Sequence, residues 1–288
     1  MRGSRSSDAL VHQRRDQILE VVLDEGAVGI PDLARRCQVS EMTIHRDLDA
    51  LADAGLVEKH RGRAVAPSAL RVQTSAQFRM RAGARLKEAV GSGALPLLEG
   101  ARTVFFDDST TALPLLRRLG ETATAPVTVV TNYLEAVHRG AGHPMLRMHL
   151  LGGDYVPDLG ATFGSACVEA IHRWHFDVAV FSAPAESEAR CYHPLLGSVA
   201  IKQAALRRAA DSVLLLDHTK LGHTGPHHIC DVSEAGTVVL DAEADPREVE
   251  LMRRQGATVQ LVPIAEPAAT DRLGDDEPRA SRKSAART

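Results

Sequence analysis

Aromatic side chains are scarce in this chain. Its 288 residues include 6 Phe, 3 Tyr and 1 Trp, 3% of the total, so the core must be built mostly from Ala, Val and Leu. Cysteine is also sparse. The four present (Cys37, Cys167, Cys191, Cys230) are widely spaced with no C-x-x-C pair, which argues against a disulfide scaffold and for a reduced, cytoplasmic setting. No apolar run is long enough to span a membrane, and residues 1–7 lack the hydrophobic segment of a signal peptide, so no membrane partner is expected. Charge of one sign is not in excess either. Lys and Arg number 34 against 37 Asp and Glu, a net charge of −3, which argues against indiscriminate coating of nucleic acid. The mean conceals a local patch: Lys59, Arg61, Arg63, Arg71, Arg79, Arg81, Arg85 and Lys87 follow one another with no acid between them. The length suits about two domains, and the 44% hydrophobic and 25% charged content is that of an ordinary globular chain.

The stretch Val39–Leu56, VSEMTIHRDLDALADAGL, organises the first half. Ser40 is a good helix N-cap, and Glu41 suits the positive end of the helix dipole. Ile44, Leu48 and Leu51 form one apolar stripe, and Gly55 suits a left-handed C-terminal cap. Thr43, His45, Arg46 and Asp49 lie off the stripe. A short helix with such side chains on its free face can enter a DNA major groove. Before it, a helix is marked from about Asp8 to Glu25 by Leu10, Val11, Ile18, Val21 and Val22, ending at Gly26. Pro31 opens a second helix through Cys37, and Gln38-Val39 make the turn of a helix-turn-helix. After it, Leu56–His60 and Ala64-Val65 flank Arg61-Gly62-Arg63 as a basic hairpin, a wing whose arginines would meet backbone phosphate or the minor groove. Candidate DNA contacts are therefore Ser40, Thr43, His45 and Arg46 on the helix, with Lys59, His60, Arg61 and Arg63 on the wing.

Four segments follow. Residues 8–66 form the winged helix-turn-helix, 67–84 a linker, 85–265 an α/β domain, and 266–288 a disordered tail poor in apolar residues. Residues 1–7 read as a loose arm. A helix is expected from about Arg81 to Leu98, cut or kinked at Pro96. Strands are expected at Thr103–Asp107, Val127–Thr131, Met148–Leu151, Val178–Ser182, Val213–Leu216, Val238–Leu240 and Val259–Val262. Helices are expected at Thr111–Leu119, Tyr133–Arg139, Ala166–Arg173, Val199–Ala210 and Pro246–Gln255. Such alternation, with strands apolar on both faces, implies a mostly parallel sheet covered by helices. Ligands of these sheets bind at the carboxyl ends of strands. Polar residues gather there: Asp107, Asp108, Ser109, Thr110 and Thr111; Thr131 and Asn132; Gly152 and Gly153; and the lysines Lys202, near the start of its helix, and Lys220. Hydroxyls, an amide, glycines and two lysines suit a phosphorylated polyol.

The run Ser40–Leu48, followed by Leu51 and Gly55-Leu56, resembles the N-terminal module of the DeoR family of bacterial transcriptional regulators. His45 stands where the family usually has an arginine, which shortens reach and weakens bidentate contact with guanine. Arg61-Gly62-Arg63-Ala64 replaces a histidine and two glycines before the alanine. The second half resembles the family's sensor domain, similar in fold to ribose-phosphate isomerase and glucosamine-phosphate deaminase. The matching stretches are Asp107–Thr111, Val130–Asn132, Leu151–Gly153, Phe163-Gly164, Asp177, Lys202, and Asp217 with Lys220. Three departures stand out: Ser109 in place of glycine, Asp108 as an added charge, and Ser198 in place of glutamate.

The resemblance implies a regulator, most simply a repressor, that binds double-stranded operator DNA as a homodimer or homotetramer. A sugar phosphate or related metabolite would be its effector, and no cofactor is implied. Two alternatives compete. Asp107, Asp108, Lys202 and Lys220 could do acid–base work on a sugar phosphate, making an isomerase or deaminase with a DNA-binding head. His223, His227, His228 and Cys230 could hold zinc in a metal-responsive regulator.

Overall fold

The computed structural model describes residues 11, 14, 15, 17–19, 21, 22, 27–53, 56–65, 79, 80 and 83–264. The expectations for the N-terminal arm, the ends at Gly26 and Gly55, most of the linker and the C-terminal tail lie outside the described residues.

The first domain has helix α1, helical at its described residues between 11 and 22, then β1 (Ala27–Gly29), α2 (Ile30–Cys37), α3 (Glu41–Asp53), β2 (Glu58–His60) and β3 (Arg63–Val65). Pro31 falls in the first turn of α2, where its missing N–H costs nothing, and Gln38 ends the helix at φ 54°. The wing has three strands in the order β1-β3-β2. Sequence patterning missed β1, because three residues are too few to show alternation. Ile18, Val22, Leu33, Ile44, Leu48, Leu51 and Ala64 close one small apolar core. The stripe read along α3 is therefore what fixes that helix to the rest of the head.

The second domain opens with α4 (Ala84–Ala94), which passes into a 3-10 turn at Leu95–Leu98 containing Pro96. Proline cannot donate to the helical ladder, so tightening there is the expected response. A seven-stranded sheet follows, in the order β15-β14-β12-β9-β4-β5-β6, with all neighbouring strands parallel. Its strands are β4 (Thr103–Phe106), β5 (Val127–Thr131), β6 (Leu146–Leu150), β9 (Phe176–Ser182), β12 (Ala209–Leu216), β14 (Thr237–Asp241) and β15 (Val259–Val262). These are the seven runs that patterning selected. Along β12, Val213 and Leu215 enter one apolar cluster while Leu214 and Leu216 enter the other, so both faces of the sheet are covered. The covering helices are α5 (Leu113–Thr122), α6 (Leu134–Gly140), α7 (Ser165–His172), α8 (Leu196–Leu206) and α9 (Pro246–Arg254).

Several helix boundaries differ from expectation, most of all the end of α8. The helix expected to run to Ala210 stops at Leu206, and Ala209 already pairs with Phe176 in the sheet. Alanine is the best helix former, but propensity is a weak determinant and strand pairing overrides it here. Two small antiparallel units were also invisible to patterning: β7 (Asp154–Val156) with β8 (Ala161–Phe163), and β10 (Ala185–Ser187) with β11 (Arg190–His193) and β13 (His227–Asp231). The β10–β11 hairpin turns through Glu188 and Ala189, both at positive φ (53° and 58°), with no glycine or asparagine to signal it.

Candidate DNA-reading surface and effector site

On α3, Ser40 accepts from the Thr43 backbone N–H at 3.2 Å, and its hydroxyl lies 2.9 Å from that of Thr43. His45 and Arg46 are exposed, Thr43 is half-buried, and the side chains of His45 and Arg46 make no hydrogen bond among the described residues. Asp47, read from sequence only as part of a motif, is buried, with its oxygens 2.6 Å from Arg14 Nε and 3.0 Å from Arg15 Nε. This carboxylate ties α1 to α3 and so sets the angle at which α3 is presented. On the wing, Lys59 reaches Asp49 of α3 at 2.5 Å, His60 pairs with Glu58 at 2.9 Å, and Arg63 donates to the Ala27 carbonyl at 2.9 Å. Arg61 is exposed at φ 42°, beside Gly62 at 79°. The wing is thus pinned to the helix, with Arg61 left at its tip. The basic run does not form one surface: Arg79 and the buried Lys87 belong to the second domain, where Lys87 Nζ donates to the Arg79 carbonyl.

At the carboxyl ends of the strands, Asp107 and Asp108 are buried and converge on Lys202 of α8, itself 2% exposed. Lys202 Nζ bonds Asp107 Oδ2 and lies 3.5 Å from Asp108 Oδ1. The lysine sits in the middle of α8 rather than near its start. Asp107 also accepts from the Ser109 and Ser182 backbone N–H groups, each at 3.0 Å, which shapes the loop. Burial works against the charge of Lys202, but the two carboxylates hold its pKa above the ordinary value. Burial likewise opposes ionisation of Asp108, and the Lys202 ammonium, followed by more distant charges, holds it below the usual range. The buried Lys202–Asp108 pair is therefore held in its charged form.

Two departures from the family pattern meet here. Ser198 of α8 donates to Asp108 Oδ1 of the facing loop at 3.2 Å. Asp108 thereby places a carboxylate beside both Ser198 and Lys202.

Lys220 lies beside this cluster, donating to Thr111 Oγ1 at 2.9 Å and Ser182 Oγ at 3.0 Å, with Asp217 at 3.2 Å. Thr110 donates to the Arg79 carbonyl at 3.2 Å. At the next strand end, Thr131 Oγ1 accepts from Tyr133 N, while Asn132 Nδ2 donates to the Thr162 carbonyl at 3.0 Å. Gly152 has open space around it, but Gly153 does not: at φ 145° a Cβ there would sit 2.3 Å from the Phe163 carbonyl. That glycine therefore serves the approach of β8. Asp177 accepts from the Arg102 and Thr103 N–H groups at 2.7 and 2.9 Å and secures the start of β4, away from the cluster.

Sequence reading missed several neighbours. Ser182 and Asp241 end strands and could have been found by the same rule that selected Thr131. His193 gave no signal. Burial, with Lys202 nearby, pushes its pKa down to about 3, so the ring stays neutral, and its Nδ1 accepts from Leu195 N at 3.0 Å.

The zinc set does not assemble. Among the described residues, the ligand atoms that come within 4.8 Å of one another belong to His218, Asp241 and Glu243. Cys230 is instead buried opposite Cys191, and exposed His228 packs on Tyr192 and pairs with Asp231. Strand geometry around a register shift separates residues that were merely close in sequence.

Residues 14–69 match the DeoR-like helix-turn-helix domain, and residues 83–242 match the DeoR C terminal sensor domain. The chain belongs to the DeoR family. It is therefore a DNA-binding transcriptional regulator with an α/β sensor domain. Similar DeoR-family relatives include the lactose phosphotransferase system repressor of Staphylococcus aureus (strain NCTC 8325 / PS 47), 26% identical over 84% of this chain and 96% of that protein. The L-fucose operon activator of Haemophilus influenzae is 25% identical over 80% of this chain and 92% of its own length. The HTH-type regulator GolR of Listeria innocua is 25% identical over 86% and 98%. Among solved structures, ribose 5-phosphate isomerase A of Methanocaldococcus jannaschii matches 47% of this chain and 53% of its own, at 17% identity and a TM-score of 0.35. That score is too low to bear on chemistry. No described helix is long and apolar enough to cross a membrane.

Proposed function

We propose that this DeoR-family regulator is a repressor that binds operator DNA through α3 and the wing, and that a sugar phosphate bound at the strand-end cluster controls it. The observation that carries this reading is an α3 whose apolar stripe is buried while Thr43, His45 and Arg46 remain on the free face. In this reading Ser40, Thr43, His45, Arg46, Lys59, His60, Arg61 and Arg63 contact DNA. The effector meets Asp107, Asp108, Ser109, Thr110, Thr111, Thr131, Asn132, Gly152, Gly153, Lys202 and Lys220. The sensor domain holds its ligand without turning it over. Support comes from Lys202, which is locked as an ammonium between two carboxylates and so is poorly suited to act as a base. The relatives are named for regulation in both directions, as a repressor of a lactose transport system and an activator of a fucose operon. Control of either kind requires the ligand to favour one state of the protein over the other.

The test is Arg46→Ala, assayed on DNA from upstream of the protein's own coding sequence and on pools selected by binding. Arg46 is exposed and its side chain makes no hydrogen bond or ion pair among the described residues, so the thermal transition should be unchanged while specific binding weakens by about 1–3 kcal/mol. Binding as tight as the parent's would remove Arg46 from the recognition surface.

A further inference from the structure

Arg79 lies between the two family-matched stretches, after residue 69 and before residue 83, yet it belongs to the strand-end cluster. Its carbonyl accepts from Thr110 Oγ1 at 3.2 Å and from the Lys87 ammonium. Its guanidinium reaches the Leu159 carbonyl at 3.4 Å, a long contact. The buried Nε–H has no acceptor among the described residues.

Of the four other buried side-chain atoms without a partner among the described residues, Glu186 Oε2 lies elsewhere, and three remain: Ser109 Oγ, Asn132 Oδ1 and Tyr133 OH. All lie on segments tied to Arg79. Ser109 adjoins Thr110, and Tyr133 bridges to Ala161, just beyond Leu159. Asn132 and Tyr133 are 0% exposed. The bond from Asn132 Nδ2 to the Thr162 carbonyl assigns the two ends of that amide and leaves Oδ1 as the unpaired acceptor. Unpaired buried polar atoms are costly, and four grouped in this way mark a place for a polar ligand. One N–H donor, one carbonyl acceptor and two hydroxyls that can do either match a polyol with an anionic end.

The charges make Arg79 decisive. Asp107, Asp108 and Asp217 are set against Lys202 and Lys220, which leaves one carboxylate in excess. Arg79 makes no ion pair among the described residues, but its charge reaches Asp108, Tyr133 and His193. With it the cluster is balanced; without it an incoming anion meets net negative charge in a medium of low dielectric.

We infer that Arg79, supplied from the segment between the two domains, anchors the anionic group of the effector, an inference that rests on the sensor domain binding a phosphorylated sugar. Because the residue precedes the sensor domain in the chain, a ligand held by it acts on the peptide leading to the DNA-reading head.

The full-length protein and its Arg79→Gln, Arg79→Met and Arg79→Lys variants are titrated with glucose 6-phosphate, fructose 6-phosphate, galactose 6-phosphate, ribose 5-phosphate and the four unphosphorylated parents. Thermal shift identifies the responding sugar phosphate and calorimetry gives its affinity. Two neutral variants are made so that at least one retains the unliganded transition. The neutral variants should bind that sugar phosphate about 10- to 100-fold more weakly, with Arg79→Lys between them and the parent. A neutral variant that binds as tightly as the parent overturns the role of Arg79 and leaves the sugar-phosphate reading standing. A parent that responds to no phosphorylated member overturns both.

Discussion

Glu186 shows how a single residue can set a pH response. It is fully buried, its Oε1 accepts from the Ala189 N–H at 2.8 Å, and its Oε2 is unpaired among the described residues. Burial pushes its pKa up to about 7 from an ordinary 4.5. A raised carboxyl pKa means that the folded state holds the proton more tightly than the unfolded chain does. The associated stability is fully present below pH 4.5 and is lost as pH rises through about 7. Glu186→Gln should remove that loss, so that relative to the parent the variant gains up to ~3 kcal/mol between pH 4 and pH 8. Urea midpoints at the two pH values check this; parallel curves for parent and variant would show that Glu186 does not titrate in this range. The sequence offers no sign of this group, because its burial comes from pairing of β10 with β11 and of Glu186 with Leu221. Asp107, Thr131 and Lys220 were legible by contrast, since a polar residue at the end of an apolar strand is conspicuous in the sequence itself.

At the scale of elements, α3 and the wing act as one piece. Asp49–Lys59 joins them, Asp47 joins α3 to α1, and the Ile30 N–H donates to the Gly62 carbonyl at 3.0 Å. The two wing arginines should therefore behave differently. Arg61→Ala removes a cation with no partner among the described residues and should lower the slope of log K against log salt by about 1, with little effect on folding. Arg63→Ala also removes the bond to the Ala27 carbonyl between β3 and β1, so some of its cost should appear in the thermal transition of the free protein. Identical slopes for the parent and Arg61→Ala would exclude a phosphate contact. The sequence marked both arginines equally, because a hairpin tip looks basic whether or not its side chains are already engaged.

At the scale of the whole molecule, one winged head reads only a few base pairs, so useful specificity calls for two heads on a paired site. We expect a homodimer or larger assembly whose operator has two related half-sites, their centres one helical turn of about 10 base pairs apart or a multiple of it. Sedimentation of the free protein and footprinting on selected DNA check the two parts separately. A monomer at micromolar concentration, protecting a single unrepeated site, would contradict the arrangement. The exposed side chains of Leu150, Tyr155, Leu196 and Leu261 offer apolar surface for such an assembly.

Periodicity was enough to determine the order and type of the main elements: the stripe of α3, the turn before it, and the seven apolar runs of the parallel sheet. These are local properties, set by which residues recur at three, four or two positions. Tertiary structure alone decided which polar groups meet. Ser198 and Asp108 stand 90 residues apart yet touch at 3.2 Å, and Arg79 reaches the cluster from a stretch that reads only as polar linker. The zinc set failed for the converse reason, since closeness in sequence does not make side chains converge once strand pairing has taken up the backbone. Contacts of this kind depend on how strands and helices are stacked, and no spacing along the chain encodes them.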